Sequence, residues 1–189
     1  MKPRFIYLVL VFVLRSACAC AQDDDGFGDA PRIEGGHFTI YYKSGVDLKG
    51  LLKQFSTSPG DEILSGQSVD KSSDDKRLSS MMEVLFARAG DILDLHVYSY
   101  KGSIKIFPTI KGLTAYYSKL YNAPVPGSGE AFYLEDSKSI YISAEYFSRE
   151  ILGAEIGQAI MDGYFVVPPS AKIQAILAGY IAYQLKKSE

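Results

Sequence analysis

The placement of the only two cysteines, Cys18 and Cys20, most constrains the fold of this chain. Both lie in an apolar N-terminal segment that follows Lys2 and Arg4 and ends in small residues at Ala21, a pattern typical of a secretory signal peptide. We therefore predict a signal peptide over residues 1–21, and a mature chain without a thiol. Its stability must come from a packed core, which is feasible because a domain of about 150 residues buries roughly 68–70% of the surface its unfolded chain exposes.

The apolar run of the leader is too short for a permanent membrane span. Residues 5–14 would rise about 15 Å as a helix, half of a hydrocarbon core of ~30 Å. The expected location is therefore outside the cytoplasm, periplasmic or secreted. An alternative is a lipoprotein anchored at Cys20 or Cys18, although Ala17 and Arg15 stand three residues before them, where lipoprotein signals usually carry Leu. We expect membrane contact only through such an anchor.

The net charge of the predicted mature chain argues against nucleic acid as a partner. Without the three basic residues of the leader, 17 Lys and Arg face 22 Asp and Glu, which gives a net charge of −5. The basic residues are scattered and form no patch of the kind that nucleic acid requires, so we expect no nucleic-acid binding. The segment 22–36 contains three consecutive Asp residues, and we predict a flexible acidic tail there.

The pattern of apolar residues predicts a single α+β domain over residues 37–187. The predicted elements are a strand at 37–43, helices at 46–55 and 74–95, a strand at 103–108, a helix at 113–121, a hairpin of 131–134 and 139–143, a helix from Ser148 to a C-cap at Gly163, and a helix opened by Pro168 and Pro169. A long polar loop is predicted at 56–75. We expect a short mixed or antiparallel sheet whose edge hairpin packs on the last two helices.

The segment ILGAEIGQAIMDGYF, residues 151–165, resembles the active-site helix of zinc metallopeptidases of the HExxH type, the zincins. In this alignment Ala154 and Gln158 stand at the two His ligand positions and Glu155 stands at the general base. In the gluzincin subgroup the third ligand is a Glu on the following helix, and the resemblance places Ala175 there. The preceding strand corresponds to the edge strand that holds an extended peptide, with the candidate residues Ala131, Phe132, Tyr133 and Leu134.

The resemblance implies zinc, but the residues present argue against it. Ala154 and Ala175 have no donor atom, and the amide of Gln158 is a poor ligand beside imidazole. Without the metal a bound water keeps the high pKa of bulk water, and general-base catalysis by Glu155 would raise the rate by only roughly 10²–10⁴-fold. We therefore expect no cofactor and no catalysis, and Glu155 is a relict of the general base.

Three functions are compatible with this pattern. The first is a pseudoenzyme that acts as a binding or scaffolding domain, with an extended peptide or another envelope protein as the partner. The second is a structural partner in a cell-envelope complex. The third is an active zinc peptidase with an unconventional site, for which His37 and His96 are the only histidines. A plain core helix over residues 151–165 is the alternative to the family resemblance itself, although the acidic Glu155 in an apolar run argues against it.

Overall fold

The computed structural model describes residues 25–55, 73–126 and 129–187. The predicted signal peptide, both cysteines and most of the predicted loop at 56–75 lie outside these residues. No helix of the described part is long and apolar enough to cross a membrane.

The described residues form an α+β fold of five α-helices and a five-stranded mixed sheet. The α+β class is as predicted, whereas the first strand was not predicted. The elements, in chain order, are β1 (Arg32–Glu34), β2 (Phe38–Tyr42), α1 (Leu48–Phe55), α2 (Asp74–Leu93), β3 (Gly102–Phe107), α3 (Ile110–Tyr121), β4 (Ala131–Leu134), β5 (Ser139–Ser143), a 3-10 turn (Ala144–Tyr146), α4 (Arg149–Tyr164) and α5 (Ala171–Lys187).

The sheet has the strand order β1-β2-β3-β5-β4. The three central strands are parallel, whereas each outer strand pairs antiparallel with its neighbour. The predicted hairpin is confirmed as β4 and β5, closed by a turn in which Lys138 N–H donates to the carbonyl of Glu135 at 3.0 Å. Strand β4 therefore forms one edge of the sheet, and β1 forms the other.

The two faces of the sheet bury different clusters. One face carries the main core, in which Ile40, Ile104 and Ile140 pack with α2 and α4. The opposite face carries a smaller aromatic cluster with α3, made of Phe27, Phe107, Leu113, Phe132 and Tyr141. Because successive side chains of a strand point to opposite faces, β4 contributes Ala131 to the main core and Phe132 to the aromatic cluster.

The prediction of a flexible tail at 22–36 is wrong for its described part. Residues 32–34 form β1, and Phe27 is only 2% exposed in the aromatic cluster. The carboxylate of Asp25 forms an ion pair with Lys105 and accepts a hydrogen bond from the Tyr141 hydroxyl at 3.1 Å. These partners lie 80 residues or more along the chain, so the local acidic composition gave no sign of them.

Helix α4 begins as predicted and ends differently. The side chain of Ser148 accepts a hydrogen bond from Ile151 N–H at 3.3 Å, which confirms it as the N-cap. The predicted left-handed C-cap at Gly163 is wrong, because the helix continues to Tyr164. A Cβ at Gly163 would lie 3.0 Å from the ring of Tyr100, so close packing accounts for this glycine.

Helices α4 and α5 pack antiparallel in close contact, and two glycines of α4 make this possible. A Cβ on Gly153 would lie 2.2 Å from Leu185, and one on Gly157 would lie 2.1 Å from Ile181. A step of four residues forward along α4 thus corresponds to four residues backward along α5. This register determines which side chains of the two helices face each other.

Candidate functional site

The free edge of the sheet is the starting point of the candidate site. In an antiparallel ladder, hydrogen-bonded and non-hydrogen-bonded pairs alternate. Ser143 N–H donates to the carbonyl of Glu130 at 3.1 Å, so the pair that precedes β4 is a hydrogen-bonded one. By this alternation, the backbone groups of Ala131 and Tyr133 point away from β5, toward the free edge.

One of these outward groups has a partner on α4. The backbone N–H of Tyr133 donates a hydrogen bond to the carboxylate of Glu155. The same carboxylate accepts a hydrogen bond from the side-chain amide of Gln158 at 2.9 Å, one helical turn further on. We call this arrangement of Glu155, Gln158 and the Tyr133 N–H the edge clasp.

The pKa of Glu155 is raised by its position in the edge clasp. Burial raises its pKa from 4.5 to about 7, because the carboxylate loses hydration, and the hydrogen bond from Tyr133 only partly offsets this effect. A perturbed acid at a cleft is a frequent property of functional sites, although structural networks perturb acids as well. Near neutral pH, both protonation states of Glu155 are populated.

An open pocket of about 210 Å³ lies beside the edge clasp, where β4, α4 and α5 meet. Four of its lining residues are small or apolar, and two are acidic. They are Ala131, Glu150, Ile151, Ala154, Glu155 and Ala182. A larger depression of about 400 Å³ lies between α1 and α2.

The structure brings three of the four predicted motif positions together. Ala154, Glu155 and Gln158 lie on the part of α4 at the pocket and edge clasp, whereas Ala175 is exposed on α5 and does not line the pocket. The register of the two helices places Ala175 opposite Gly163, at the far end of α4. Ala175 is therefore not brought together with the other motif positions, and the residue of α5 that lines the pocket is Ala182.

The side chains at this position do not fit a zinc ion. Neither Ala154 nor Ala182 has a donor atom, and the amide of Gln158 already donates to Glu155. Within the described ranges, no group of three or more His, Cys, Asp or Glu side chains lies close enough to hold a metal ion. His37 pairs with Glu83 and stacks on an aromatic ring, and His96 is an exposed residue after α2.

A second polar network, which the sequence did not predict, extends from the edge strand. The Tyr133 hydroxyl donates to the Asp162 carboxylate at 2.8 Å and lies 3.4 Å from the Tyr100 hydroxyl. Burial raises the pKa of Tyr133, and it raises that of Tyr100 to about 12, so both phenols stay protonated. The negative charge of Asp162 raises the pKa of the exposed Glu135. No local sequence motif predicts these contacts, because the residues that form them lie on separate elements.

No protein-family model, curated protein or solved structure matches this chain. The geometry of the edge clasp and its pocket therefore carries the functional argument.

Proposed function

We propose that this protein is an exported, non-catalytic binding domain with the fold plan of a gluzincin-type metallopeptidase. We propose further that it binds an extended peptide along β4. The observation that carries this proposal is the hydrogen bond from Tyr133 N–H to Glu155. It joins the free edge of the sheet to the helix that resembles a peptidase active-site helix.

Strand addition at β4 explains how a peptide would bind. By the alternation of the ladder, the backbone N–H and C=O of Ala131 point away from β5, and the residue lines the pocket although it is only 6% exposed. Main-chain hydrogen bonds to a sheet edge supply affinity in this mode of recognition. Alternate side chains of the added strand point to one face, so one of them would enter the adjacent pocket. Glu150, and Glu155 when it is ionised, give this pocket negative charge, which favours a basic residue of the peptide.

The same geometry argues against hydrolysis. A peptidase of this plan needs a metal to lower the pKa of its attacking water, and the side chains at Ala154, Gln158 and Ala182 do not provide ligands. The carboxylate of Glu155 is engaged with the edge strand and with Gln158. We therefore propose a pseudoenzyme, in which Glu155 shapes a binding site.

Peptide arrays with two variants of the full chain test this proposal. Ala131→Pro removes an outward N–H from β4 and retains the ladder to β5, and edge strands tolerate such a proline. The matched control is Glu34→Pro, which removes an outward N–H from the opposite edge, β1. We expect about tenfold weaker peptide binding for the first variant and unchanged binding for the second.

A second pair of variants tests the pocket. Ala154→Leu fills it from α4 and is expected to weaken peptide binding, whereas Ala175→Leu, on the exposed part of α5, is not. If neither Ala131→Pro nor Ala154→Leu affects binding, or if no peptide binds, strand addition is refuted. Stoichiometric zinc in the purified protein, together with peptide hydrolysis, would instead establish the active peptidase. Partner binding in an envelope complex that is unaffected by Glu155→Ala would support the structural alternative.

A further inference from the structure

Helix α5 exposes an apolar stripe on the side away from α4. Its members are spaced by three, four and three residues, so they lie along one face of the helix. Their side chains are between 46% and 61% exposed, and they are Ile173, Ile176, Tyr180 and Tyr183. The residues of α5 that pack on the core, such as Ile181 and Leu185, lie on a different face.

The link between α4 and α5 also exposes apolar side chains. Val166 and Val167 are almost fully exposed, and Tyr164 and Phe165 beside them are partly exposed. We call Val166, Val167 and the four residues of the stripe the α5 face. Apolar side chains scattered singly are normal at a protein surface, but a contiguous exposed set marks an interaction site.

All charged side chains of α5 are positive. The helix contains Lys172, Lys186 and Lys187 and no acidic residue, although the whole chain has a net charge of −2. All three lysines are exposed. In the portion of the chain that the structure describes, none of them forms an ion pair with an acidic side chain. The α5 face is therefore apolar along its length and positively charged at both ends.

The geometry points to the surface of an anionic lipid bilayer as the partner of the α5 face. The charge pattern is complementary to anionic headgroups, which attract each nearby lysine by about 1 kcal/mol. Ile and Val suit the boundary of the acyl chains, and Tyr is enriched at the headgroup level, where its ring is partly apolar and its hydroxyl is hydrated. The 17 residues of α5 form a rod of about 25 Å that would lie along the membrane plane.

Pairing of the α5 face with a second copy of this chain fits less well. A symmetric pair brings the same patch of both copies together. In either orientation of the helices, the lysines of one copy would meet lysines of the other, and no acidic residue of α5 would neutralise them. This membrane contact is independent of the peptide site at β4, and it differs from the lipid anchor considered for the leader.

Flotation of the full chain with vesicles tests the inference. We expect binding to vesicles of phosphatidylcholine that contain about one third phosphatidylglycerol, and much weaker binding to phosphatidylcholine alone. Replacement of the three lysines by glutamine should weaken binding by about 100-fold. The double variant V166S/V167S should weaken it by about tenfold or more, because the apolar tips no longer enter the interface.

Two controls keep the test specific. Tyr98→Ser changes an exposed aromatic residue outside the α5 face, so its binding should equal that of the unchanged protein, whereas Tyr183→Ser should bind more weakly. All variants carry the same leader, so any binding through the leader is common to them. Circular dichroism establishes that the variants are folded. Absence of vesicle binding, binding without preference for anionic lipid, or binding unaffected by the α5 variants would overturn the inference. If the true partner is an acidic protein or a second copy of this chain, no vesicle binding is expected.

Discussion

At the scale of single residues, Glu155 determines the character of the candidate site. Its carboxyl group has two hydrogen-bond donors, the N–H of Tyr133 and the amide of Gln158, yet burial still favours its protonated form. Glu155 therefore contacts the edge strand, and its burial raises its pKa to about 7. The two properties follow from one location, between β4 and α4.

Glu155 should make the stability of the protein depend on pH. A carboxyl group whose folded pKa is raised binds more protons in the folded state, so its contribution is fully present below pH 4.5 and is lost as the pH rises to about 7. Glu155→Gln should remove this dependence, and at pH 8 the variant should be more stable by as much as about 3 kcal/mol. Urea unfolding between pH 4 and pH 8 measures the difference. Glu150→Gln, with the same charge change on the same helix, is the control, and an unaltered pH slope in Glu155→Gln would contradict the assignment.

At the scale of elements, close contact between α4 and α5 shapes the pocket. Gly153 and Gly157 let the side chains of Leu185 and Ile181 approach the backbone of α4. The small residues Ala154 and Ala182 then leave open space at the junction with β4. The glycines of α4 thus serve packing, although glycine in a helix interior costs roughly 0.5–1 kcal/mol relative to alanine.

Two glycine-to-alanine substitutions separate packing from helix propensity. Gly157→Ala would place a Cβ 2.1 Å from Ile181, which is fully buried, so we expect a loss of about 1–3 kcal/mol in the free energy of unfolding. Gly179→Ala, on the exposed part of α5, meets nothing within 4 Å and should stabilise the protein by up to about 1 kcal/mol. Thermal or urea unfolding distinguishes the two. Equal effects of the two substitutions would show that α4 and α5 are not in close contact.

Much of this organisation follows from the sequence, because it depends on local signals. The periodicity of α2, the hairpin turn and the Ser148 cap each lie within a short segment, and these predictions are confirmed. The resemblance placed Ala175 with Ala154, Glu155 and Gln158, but Ala175 does not line their pocket, because the register of two helices depends on where their glycines meet larger side chains. Contacts between distant segments, such as Tyr133 with Asp162, have no local pattern.

At the scale of the whole molecule, the segment that precedes β1 packs against the sheet. Phe27 lies in the aromatic cluster, and the Asp25 carboxylate contacts Lys105 of β3 and Tyr141 of β5. Burial raises the pKa of Asp25, but the hydrogen bonds from Lys105, Phe27 N–H and Tyr141 outweigh burial, so the pKa lies below its usual value of 3.8. This contact ties residues that precede β1 to the centre of the sheet.

Loss of this contact should destabilise the folded domain. Asp25→Asn leaves Lys105 partly buried without its counter-charge, and we expect a loss of about 2–3 kcal/mol at pH 7. Because the folded pKa of Asp25 is lowered, its contribution is present above pH 3.8 and disappears as the pH falls through the folded pKa, so the difference from the unchanged protein should shrink in acid. Asp29→Asn, at an exposed acid of the same segment, controls for net charge. A loss at Asp29 as large as that at Asp25 would contradict this account.

The most direct test of the edge clasp is a carbon-13 NMR titration of the Glu155 carboxyl group, with and without equimolar zinc. We predict a midpoint near pH 7 that zinc leaves unchanged, because the carboxyl group is partly buried at β4 and the described residues place no set of metal ligands around it. A midpoint near 4.5, or one that zinc lowers, would contradict it. The first result would mean that the carboxyl group is solvated, and the second would mean that a metal binds beside it.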